Sequence, residues 1–277
     1  MDVRNLRGKT VLVTGAASGI GRESALAFGR READLVVCDV DEAGLKETEG
    51  QLRSLGREVM ARRVDVADPE QMQAFAEETT AQVGALDILM NNAGVGLGAS
   101  FLDTSLEDWD WILRINLRGV IHGCHAFVPP MLERGRRGHV VNVSSAAGFL
   151  PASALTAYVT TKYAVLGLSE SLRIELAPRG IGVTAVCPGI IDTPITRSSR
   201  LRGRIAEPGA RESMVAAYQK RGYGPERVAR NVLRAIQRNR GVAPVSPEAW
   251  AGYYLKRLAP GLVSWLMGWG ERRQLPQ

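Results

Sequence analysis

Cysteine and histidine are scarce in this 277-residue chain, which contains three of each. The cysteines lie far apart within apolar runs, where a small buried side chain is a more common role than a disulfide or a metal ligand. We therefore expect neither a disulfide framework nor a bound metal. Long hydrophobic runs are also lacking. The longest stretch without a charged residue, residues 138–161, is broken by Asn142 and Pro151 and is not expected to span a membrane.

Signals for several other classes of protein are missing too. No apolar run follows a basic amino-terminal end, so the sequence predicts a cytoplasmic protein without a secretory signal. With 45% hydrophobic and 23% charged residues, the composition is globular and excludes a disordered or collagen-like chain. No low-complexity linker divides the chain before residue 190. We therefore predict one domain, residues 1–245, with an aromatic and basic extension at residues 246–277.

Acidic and basic residues are unevenly distributed. Residues 1–196 contain 19 Lys and Arg against 24 Asp and Glu, a net charge of −5, whereas residues 197–277 contain 16 against 5, a net charge of +11. A nucleic-acid or anionic-membrane partner would therefore have to bind the last third of the chain. That segment contains no nucleic-acid-binding module, so we expect no nucleic-acid partner.

Short apolar runs alternate with helical patterns. The predicted strands are residues 10–14, 35–39, 59–64, 86–91, 140–144 and 183–187. The predicted helices are residues 20–32, 42–55, 69–83, 106–132 and 157–177, and Pro129 and Pro130 are expected to bend or interrupt the fourth. Near-continuous Val, Ile and Leu is typical of strands buried on both faces of a parallel sheet. The alternation predicts an α/β protein with a single doubly wound domain, the alternative being an α+β protein with antiparallel pairs.

A glycine-rich turn joins the first strand to the first helix. It comprises Thr14, Gly15, Ala16, Ala17, Ser18, Gly19, Ile20 and Gly21. Glycines let the backbone approach a pyrophosphate, and the helix N-terminus offers N–H groups and a positive dipole end. The spacing differs from the general G-x-G-x-x-G fingerprint, and a tight turn without a ligand is the alternative. The strand before the turn and the helix after it favour a nucleotide site.

Asp39 ends the second strand, 18 residues after Gly21. A carboxylate at this position can accept hydrogen bonds from the adenosine ribose hydroxyls, and it would repel a 2′-phosphate. The next residue, Val40, brings no compensating cation, and Arg22 is better explained as a solvated helix residue. The sequence therefore favours NAD over NADP as the cofactor.

Tyr158 and Lys162 lie four residues apart in a helical pattern and so share one face. An ordinary tyrosine has a pKa of ~10, and the neighbouring ammonium is expected to lower the pKa of Tyr158, which would make it a general acid/base. Ser144 and Ser145 lie at the end of a predicted strand, where a hydroxyl can face a ligand crevice. Surface packing of the Tyr-Lys pair and helix capping by a serine are the alternatives.

Together these residues resemble the short-chain dehydrogenase/reductase family over the chain to about residue 190. The matching elements are Thr14-Gly15-x3-Gly19-x-Gly21, Asp65-Val66, Asn91-Asn92-Ala93-Gly94, Asn116, Ser145, Tyr158-x3-Lys162, Pro188-Gly189 and Thr193. The resemblance implies a Rossmann-type fold with about seven parallel strands, the last at residues 242–245. It also accounts for the spacing of the glycine turn, which is the family's own.

The resemblance further implies a role for each matching residue. Tyr158 would exchange a proton with the substrate oxygen, and Ser145 would hydrogen-bond that oxygen. Lys162 would lower the pKa of Tyr158 and bind the nicotinamide ribose, while Asn116 would hold a water beside Lys162. The implied cofactor-binding residues are Gly15, Ser18, Gly19, Ile20, Gly21, Asp39, Asp65, Val66, Asn91, Asn92, Ala93, Gly94, Tyr158, Lys162, Pro188, Gly189, Ile191 and Thr193.

Apolar residues are expected around the substrate. They are Val95, Leu97, Phe149, Leu150, Ile190, Ile191 and Ile195, and they predict a lipophilic alcohol or ketone. Residues 193–222 are expected to form a loop-like lid over the site. A solvated, mobile lid is one interpretation of its arginines, and the other is that Arg197, Arg200 or Arg211 binds a charged group such as that of an acyl-CoA.

The extension allows two interpretations. Residues 250–270 can form an interfacial membrane helix, with tryptophans and cations at the level of the lipid headgroups. They can also form a helix that packs over the substrate site or into a subunit interface.

The sequence therefore predicts an NAD-dependent oxidoreductase that transfers hydride between nicotinamide and a lipophilic secondary alcohol or ketone, such as a steroid, retinoid, long-chain or 3-oxoacyl compound. A non-catalytic dinucleotide-binding regulator is the alternative from a different functional class. The family resemblance also implies a homo-tetramer or homo-dimer.

Overall fold

The computed structural model describes the backbone of residues 1–272. Seven parallel strands form the central sheet, in the order β3-β2-β1-β4-β6-β7-β9. These strands are β1 (Thr10–Thr14), β2 (Asp34–Asp39), β3 (Val59–Arg63), β4 (Ile88–Asn91), β6 (Gly138–Val143), β7 (Ile181–Pro188) and β9 (Val242–Val245). A second, two-stranded parallel sheet pairs β5 (Leu97–Gly98) with β8 (Arg200–Leu201). The predicted doubly wound α/β fold is confirmed, and the antiparallel alternative is wrong.

Helices cover both faces of the sheet. Those before the lid are α1 (Gly19–Gly29), α2 (Glu42–Ser54), α3 (Pro69–Val83), α4 (Leu106–Leu113), α5 (Gly119–Glu133) and α6 (Thr156–Leu176). Those after β7 are α7 (Ile195–Ser198), α8 (Ala210–Arg221), α9 (Pro225–Gln237), α10 (Pro247–Leu258) and α11 (Pro260–Arg272). Apolar residues of α1, α2 and α9 pack on one face of the sheet, and those of α3, α5 and α6 pack on the other. Two apolar layers therefore sandwich strands that are buried on both sides.

The helix predicted over residues 106–132 is three elements rather than one. Its start is as expected, because the Ser105 hydroxyl accepts a hydrogen bond from the Asp108 N–H at 3.1 Å and caps α4. A π-helical turn, Arg114–Arg118, then separates α4 from α5. Pro129 and Pro130 do not interrupt α5, which continues to Glu133.

The segment predicted to be loop-like after residue 193 is largely ordered, which corrects that prediction. It contains α7, the short strand β8 and a 3-10 turn, Gly203–Ala206, before α8 begins. The backbone N–H of Arg200 donates to Gly96 O at 3.0 Å, and the N–H of Arg202 donates to Gly98 O at 2.9 Å. Pairing with β5, about a hundred residues earlier in the chain, gives this segment its regular structure.

The extension forms α10 and α11, and residues 273–277 lie outside the part of the chain that the structure describes. Ala249 of α10 is buried, and Tyr253 contacts the ring of Phe149 at 5.5 Å between centroids. Helix α10 therefore packs on the segment that follows β6. Among the described residues, no helix is long and apolar enough to cross a membrane. Cys38, Cys124 and Cys187 are buried free thiols, as predicted.

Candidate active site

The carboxyl ends of β1 and β4 meet at the point where the strand order reverses. Crevices at such switch points are the usual ligand sites of doubly wound sheets. The Thr14 hydroxyl accepts hydrogen bonds from the N–H groups of Asn92 and Ala93, both at 3.0 Å. In return, Asn92 Nδ2 donates to Thr14 O at 2.9 Å and to Gly15 O at 3.1 Å. The two predicted cofactor-binding segments are thus joined directly, through a threonine to which the sequence assigned no role.

The glycine turn has a shape that larger residues would prevent. Gly15 and Gly19 have positive φ angles of 66° and 54°. A Cβ on Gly21 would lie 2.0 Å from Gly15 O. Ser18 is the N-cap of α1, but its side chain makes no capping hydrogen bond. The N–H groups of the first turn, including that of Ile20, are therefore not capped by Ser18, which suits an anionic group.

Asp39 lies at the carboxyl end of β2, as predicted from the sequence. Its Oδ2 accepts from the Ala17 N–H at 2.8 Å, which binds it to the glycine turn, and its Oδ1 accepts from the Asp41 N–H at 3.1 Å. A carboxylate has further lone pairs, so this arrangement leaves acceptor capacity for ribose hydroxyls. The exposed Val40 adjoins it.

Two arginines near Asp39 are engaged elsewhere. Arg22 hydrogen-bonds Ala17 O and Gly44 O and forms an ion pair with Glu47 at 3.0 Å, so it is a structural residue rather than a solvated one. Arg63 stands opposite Asp39 in the register of β2 and β3, a proximity that the sequence did not indicate. Its guanidinium lies 3.4 Å from Glu42.

Asp65 and Val66 follow β3 at the same edge of the sheet. Asp65 Oδ1 accepts from the Ala67 N–H at 2.9 Å, which fixes a tight turn. Val66 is buried and packs where α5 begins, since a Cβ on Gly119 would lie 2.7 Å from its side chain. The pair therefore borders the same crevice as Asp39.

Asn116 lies in the π-helical turn and is completely buried. Its Oδ1 accepts from the Val95 N–H at 2.8 Å and its Nδ2 donates to Val95 O at 2.9 Å, so the amide holds the segment after β4 on both sides. Nδ2 also lies 3.3 Å from the Thr161 hydroxyl, one residue before Lys162. The extra residue of the π turn explains how Asn116 reaches this position, and the water-binding role stays a prediction.

Tyr158, Ser145 and Lys162 converge at the carboxyl end of β6. Burial raises the pKa of Tyr158 to about 12, and a hydrogen bond with Ser145 acts in the opposite direction. Ser145 Oγ also donates to Pro188 O at 3.4 Å. Lys162 Nζ lies 5.6 Å from the centroid of the Tyr158 ring. The predicted hydroxyl, phenol and ammonium therefore occupy one site.

The expected lowering of the Tyr158 pKa by Lys162 is not what this structure shows. Lys162 Nζ donates to Val143 O at 3.1 Å, so the ammonium is directed at a carbonyl of β6 rather than at the phenol. Burial lowers the pKa of Lys162 to about 8, which weakens it further as a permanent cation. Desolvation thus dominates both groups. Ser144, the other candidate serine, donates to Lys162 O at 2.7 Å and supports the helix instead.

The residues after β7 form the next wall. The N–H of Gly189 donates to Val245 O at 3.0 Å, which fixes Pro188 and Gly189 beside β9. Ile190 is partly exposed, whereas Ile191 is buried in the core. Thr193 is buried beside the glycine turn, because a Cβ on Gly19 would lie 3.4 Å from Thr193 Cβ.

The predicted substrate residues are less uniformly placed. Val95 packs with Leu97 and Tyr158, and Ile195 lies near Gly96, so these residues border the site. Phe149 is only 5% exposed and packs against Tyr253 of α10. Leu150 likewise contacts α10, because a Cβ on Gly252 would lie 2.6 Å from its side chain. Both therefore support the wall rather than presenting an open surface.

Three groups near the site were missed by sequence reasoning. Tyr218 of α8 is half-buried, and its phenol interacts electrostatically with Tyr158. Asp108 is buried and binds two lid arginines, with distances of 3.1 Å to Arg200 and 2.8 Å to Arg202. Glu248 of α10 accepts a hydrogen bond from the Ile190 N–H at 3.0 Å. The i, i+4 spacing of half-buried residues in α8 is the one sequence signal that could have indicated Tyr218. No local pattern marks Asp108 or Glu248.

As a whole, the crevice combines N–H donors, the Asp39 carboxylate with its remaining acceptor capacity, and a phenol paired with a serine hydroxyl. The first two suit a dinucleotide, and the last suits proton exchange with an oxygen of a second ligand. Among the side chains that the structure describes, no group of His, Cys, Asp and Glu is placed to hold a metal ion.

Comparisons with known proteins are consistent with this geometry. A family model described as short chain dehydrogenase matches residues 9–203. The chain is 42% identical over 254 residues to the probable oxidoreductase EphD of Mycobacterium tuberculosis, a match that covers 90% of this chain and 43% of the relative. The chain thus spans less than half the length of EphD.

Two further matches cover most of this chain and most of the similar protein. The 3-oxoacyl-[acyl-carrier-protein] reductase FabG of Thermotoga maritima is 34% identical over 229 residues, covering 82% of this chain and 90% of the relative. A short-chain dehydrogenase/reductase from Burkholderia phymatum, solved in complex with NAD, superposes with a TM-score of 0.85 at 33% identity, covering 93% of this chain and 96% of that one.

Proposed function

Because the chain belongs to the short-chain dehydrogenase/reductase family, we propose that it is an NAD-dependent oxidoreductase acting on a lipophilic secondary alcohol or ketone. The observation that carries the proposal is the convergence of Ser145, Tyr158 and Lys162 at the end of β6, beside the glycine turn. Members of the family are oxidoreductases. The identities of the cofactor and of the substrate are our proposals.

The residues present fit a nicotinamide dinucleotide. The uncapped first turn of α1 suits its pyrophosphate, and Asp39 suits an adenosine ribose with free hydroxyls. Arg22, the nearest sequence candidate for a 2′-phosphate, is occupied by two carbonyls and by Glu47. NAD rather than NADP is therefore proposed, which agrees with the NAD bound to the Burkholderia phymatum relative.

Bound nicotinamide would supply the hydride for a ketone or accept the hydride of an alcohol. In the reductive direction, Tyr158 Oη would give its proton to the carbonyl oxygen, so that the carbonyl becomes a hydroxyl. Ser145 would hold the same oxygen by a hydrogen bond. A tyrosine pKa of about 12 keeps the phenol protonated at neutral pH, which suits this direction. Lys162, with a pKa of about 8, can replace the proton.

A lipophilic substrate is proposed because the bordering side chains are apolar and because Arg200 and Arg211, two of the three candidate arginines of the lid, are occupied. Arg200 and Arg202 bind Asp108, and Arg211 donates to Ser199 O at 2.8 Å. The alternative, an acyl-CoA-type substrate held by Arg200 or Arg211, would require these pairs to break. A 3-oxoacyl group remains compatible with the proposal, and it is the substrate class named for the FabG relative.

A non-catalytic dinucleotide-binding regulator is the second candidate function. It would need the cofactor crevice but not the Ser145–Tyr158 hydrogen bond or the buried ammonium of Lys162. Burying a lysine costs free energy, which favours a role for it in catalysis. We further propose a cytoplasmic homo-tetramer or homo-dimer, as the family resemblance implies.

The test of the reaction is nicotinamide absorbance during incubation with steroids, retinoids, long-chain alcohols and 3-oxoacyl esters. Tyr158→Phe should abolish turnover of any substrate found and leave NAD binding unchanged. Tyr163→Phe is the matched control, since Tyr163 lies on the same helix and is exposed. Turnover by Tyr158→Phe at the unmodified rate would disprove the assignment. NAD binding without turnover of any compound would favour the regulator.

A further inference from the structure

Two adjacent arginines of β3 lie on opposite faces of the sheet. Arg62 forms an ion pair with Glu78 of α3, and Arg63 forms one with Glu42, the first residue of α2. Helices α2 and α3 pack on opposite faces of the sheet. Helix α1, which follows the glycine turn, packs on the same face as α2. Arg63 is therefore on the face of the glycine turn, and Arg62 is on the other face.

Arg63 also lies beside the carboxylate that is proposed to bind the adenosine ribose. Its Cα pairs with that of Asp39 in the parallel register of β2 and β3, and neighbouring strands are about 4.8 Å apart. Residues paired in this way direct their side chains to the same face of a sheet. Asp39 faces the glycine turn, since its Oδ2 accepts from the Ala17 N–H at 2.8 Å. The Arg63 guanidinium and the Asp39 carboxylate therefore lie on one face, at one end of neighbouring strands.

The ion pair that holds Arg63 is weak. Arg63 Nε lies 3.4 Å from Glu42 Oε1, and the two side chains are 55% and 73% exposed. Ion pairs between exposed side chains contribute little free energy, because water screens the charges and both side chains lose freedom. Arg62, by contrast, lies 2.6 Å from Glu78 and also donates to Ala61 O at 2.9 Å. Arg63 can therefore exchange its partner for a stronger anion, whereas Arg62 is held firmly.

Other charged groups around this end of β2 have partners of their own. Arg22 donates to Gly44 O at 3.1 Å and pairs with Glu47 at 3.0 Å. The Asp41 carboxylate caps α2 and accepts from the Gly44 N–H at 3.2 Å. Arg63 is therefore better placed than Arg22 to receive a further anion.

Glu42 has a second cation within reach when Arg63 moves away. Lys46 is exposed one helical turn after Glu42 in α2, and Glu and Lys at this spacing attract each other. Release of the guanidinium therefore does not leave the Glu42 carboxylate without a nearby positive charge.

We propose that Arg63 binds the 2′-phosphate of NADP and so makes NADP a second, weaker cofactor of this protein. The inference rests on the proposed function, in which Asp39 binds the adenosine ribose. The 2′-phosphate is bonded to that ribose, so it would lie among the groups around Asp39. A guanidinium binds phosphate through parallel N–H donors and a permanent positive charge, which offsets the repulsion from Asp39. NAD stays the preferred cofactor, because it brings two free hydroxyls to the carboxylate and no second anion.

Separate titrations with NADH and NADPH, followed by the fluorescence of the reduced nicotinamide, test the proposal. The unmodified protein should bind both, and NADPH more weakly. Arg63→Gln should raise the Kd for NADPH about tenfold, the loss expected for a charged hydrogen-bonded pair, and leave the Kd for NADH unchanged. Glu42→Gln should lower the Kd for NADPH, because it releases Arg63. Added salt should weaken NADPH binding more than NADH binding, and Arg63→Gln should reduce that difference.

Arg62→Gln is the matched control. It removes the same charge from the neighbouring residue of the same strand, but on the opposite face of the sheet, so both Kd values should stay as they are in the unmodified protein. A second comparison uses Asp39→Ser, with and without Arg63→Gln. Without Asp39 the repulsion of the phosphate is gone, and NADPH should bind more tightly only while Arg63 is present.

The possible failures are distinguishable. If neither NADH nor NADPH binds, the proposed function fails together with this inference. If NADH binds and NADPH does not, or if Arg63→Gln leaves the Kd for NADPH unchanged, the inference about Arg63 is overturned and the proposed function stands. An equal rise in the Kd for NADPH in Arg62→Gln would also overturn it, because general loss of positive charge would then explain the effect.

Discussion

The carboxylate of Glu248 accepts a hydrogen bond from the backbone N–H of Ile190 at 3.0 Å. The same side chain forms an ion pair with Arg221, the last residue of α8. Glu248 therefore binds the segment after β7, which is predicted to line the nicotinamide, and the helix that ends the lid. Three elements meet at one partly buried side chain.

Glu248→Ala should weaken both connections. Loss of a charged hydrogen bond at a partly exposed site costs about 1 kcal/mol, so we expect the Kd for NAD to rise about fivefold. Isothermal titration calorimetry measures the change. Glu170→Ala is the control, because its ion pair with Arg257 lies on the surface, away from the crevice. Equal effects of the two substitutions would contradict the positioning role of Glu248.

Asp108 connects the lid to α4. The residue is 3% exposed, and its carboxylate binds Arg202 and Arg200. The Arg200 guanidinium lies 3.7 Å from the Trp111 ring centroid. Those hydrogen bonds, that of Arg202 foremost, hold the pKa of Asp108 below its usual range. The two arginines therefore favour the ionised form of the carboxylate.

Asp108→Asn should release β8 and loosen the lid. We expect the KM of a substrate to rise about tenfold, the energetic equivalent of about 1.4 kcal/mol, while the Kd for NAD is unchanged. Steady-state kinetics and NAD titration check the two parts. Asp110→Asn, an exposed position on the same helix, serves as the control. A variant that loses NAD affinity and substrate affinity together would instead indicate a general structural defect.

The sheet could be predicted because each long strand is marked by its own local sequence pattern. Strands such as β1 and β7 are near-continuous runs of apolar residues, which is what burial on both faces requires. The ordered structure of the lid could not be predicted, because β8 is two residues long and forms only by pairing with β5. The π turn at Asn116 was missed for a related reason. It depends on a local shift of hydrogen bonds that helical periodicity does not record.

The candidate site divides in the same way. Tyr158 and Lys162 share a helix, and the glycine turn is one continuous segment, so the residues could be identified from spacing. The direction in which the Tyr158 pKa shifts could not be predicted, since it depends on burial and on where the Lys162 ammonium points. Glu248 lies 58 residues from Ile190 in sequence, and only folding brings them together.

Asp39 provides a test of cofactor choice. Asp39→Ser removes the negative charge that would repel a 2′-phosphate and also removes the acceptor for ribose hydroxyls. We expect the Kd for NADH to rise about tenfold and the Kd for NADPH to fall, which fluorescence titration of these reduced cofactors measures. Asp34→Ser, at the other end of β2, should change neither. Unchanged preference in the Asp39 variant would remove the main support for NAD.

His139 provides a test of acid stability. It is buried in β6, its Nε2 lies 2.8 Å from the Thr184 hydroxyl, and that hydroxyl donates to Arg240 O. Because the Thr184 hydroxyl proton is used in that bond, the hydroxyl oxygen accepts from Nε2, which carries the imidazole proton. Nδ1, which lies near Gly182, is unprotonated. Burial lowers the pKa of His139 from 6.5 to about 3.

A histidine that stays neutral in the folded state destabilises the protein in acid. Below pH 6.5 the unfolded chain binds a proton that the folded chain does not, so stability from this group is present above pH 6.5 and is lost as the pH falls toward 3. The full loss is about 5 kcal/mol at 1.36 kcal/mol per pH unit.

His139→Gln can keep an N–H donor to Thr184 without titrating. Its free energy of unfolding, from urea denaturation at successive pH values, should therefore fall less steeply between pH 6.5 and 4 than that of the unmodified protein. His125→Gln, on the surface of α5, is the control, and parallel pH dependences of the unmodified protein and the His139 variant would show that His139 does not govern acid unfolding.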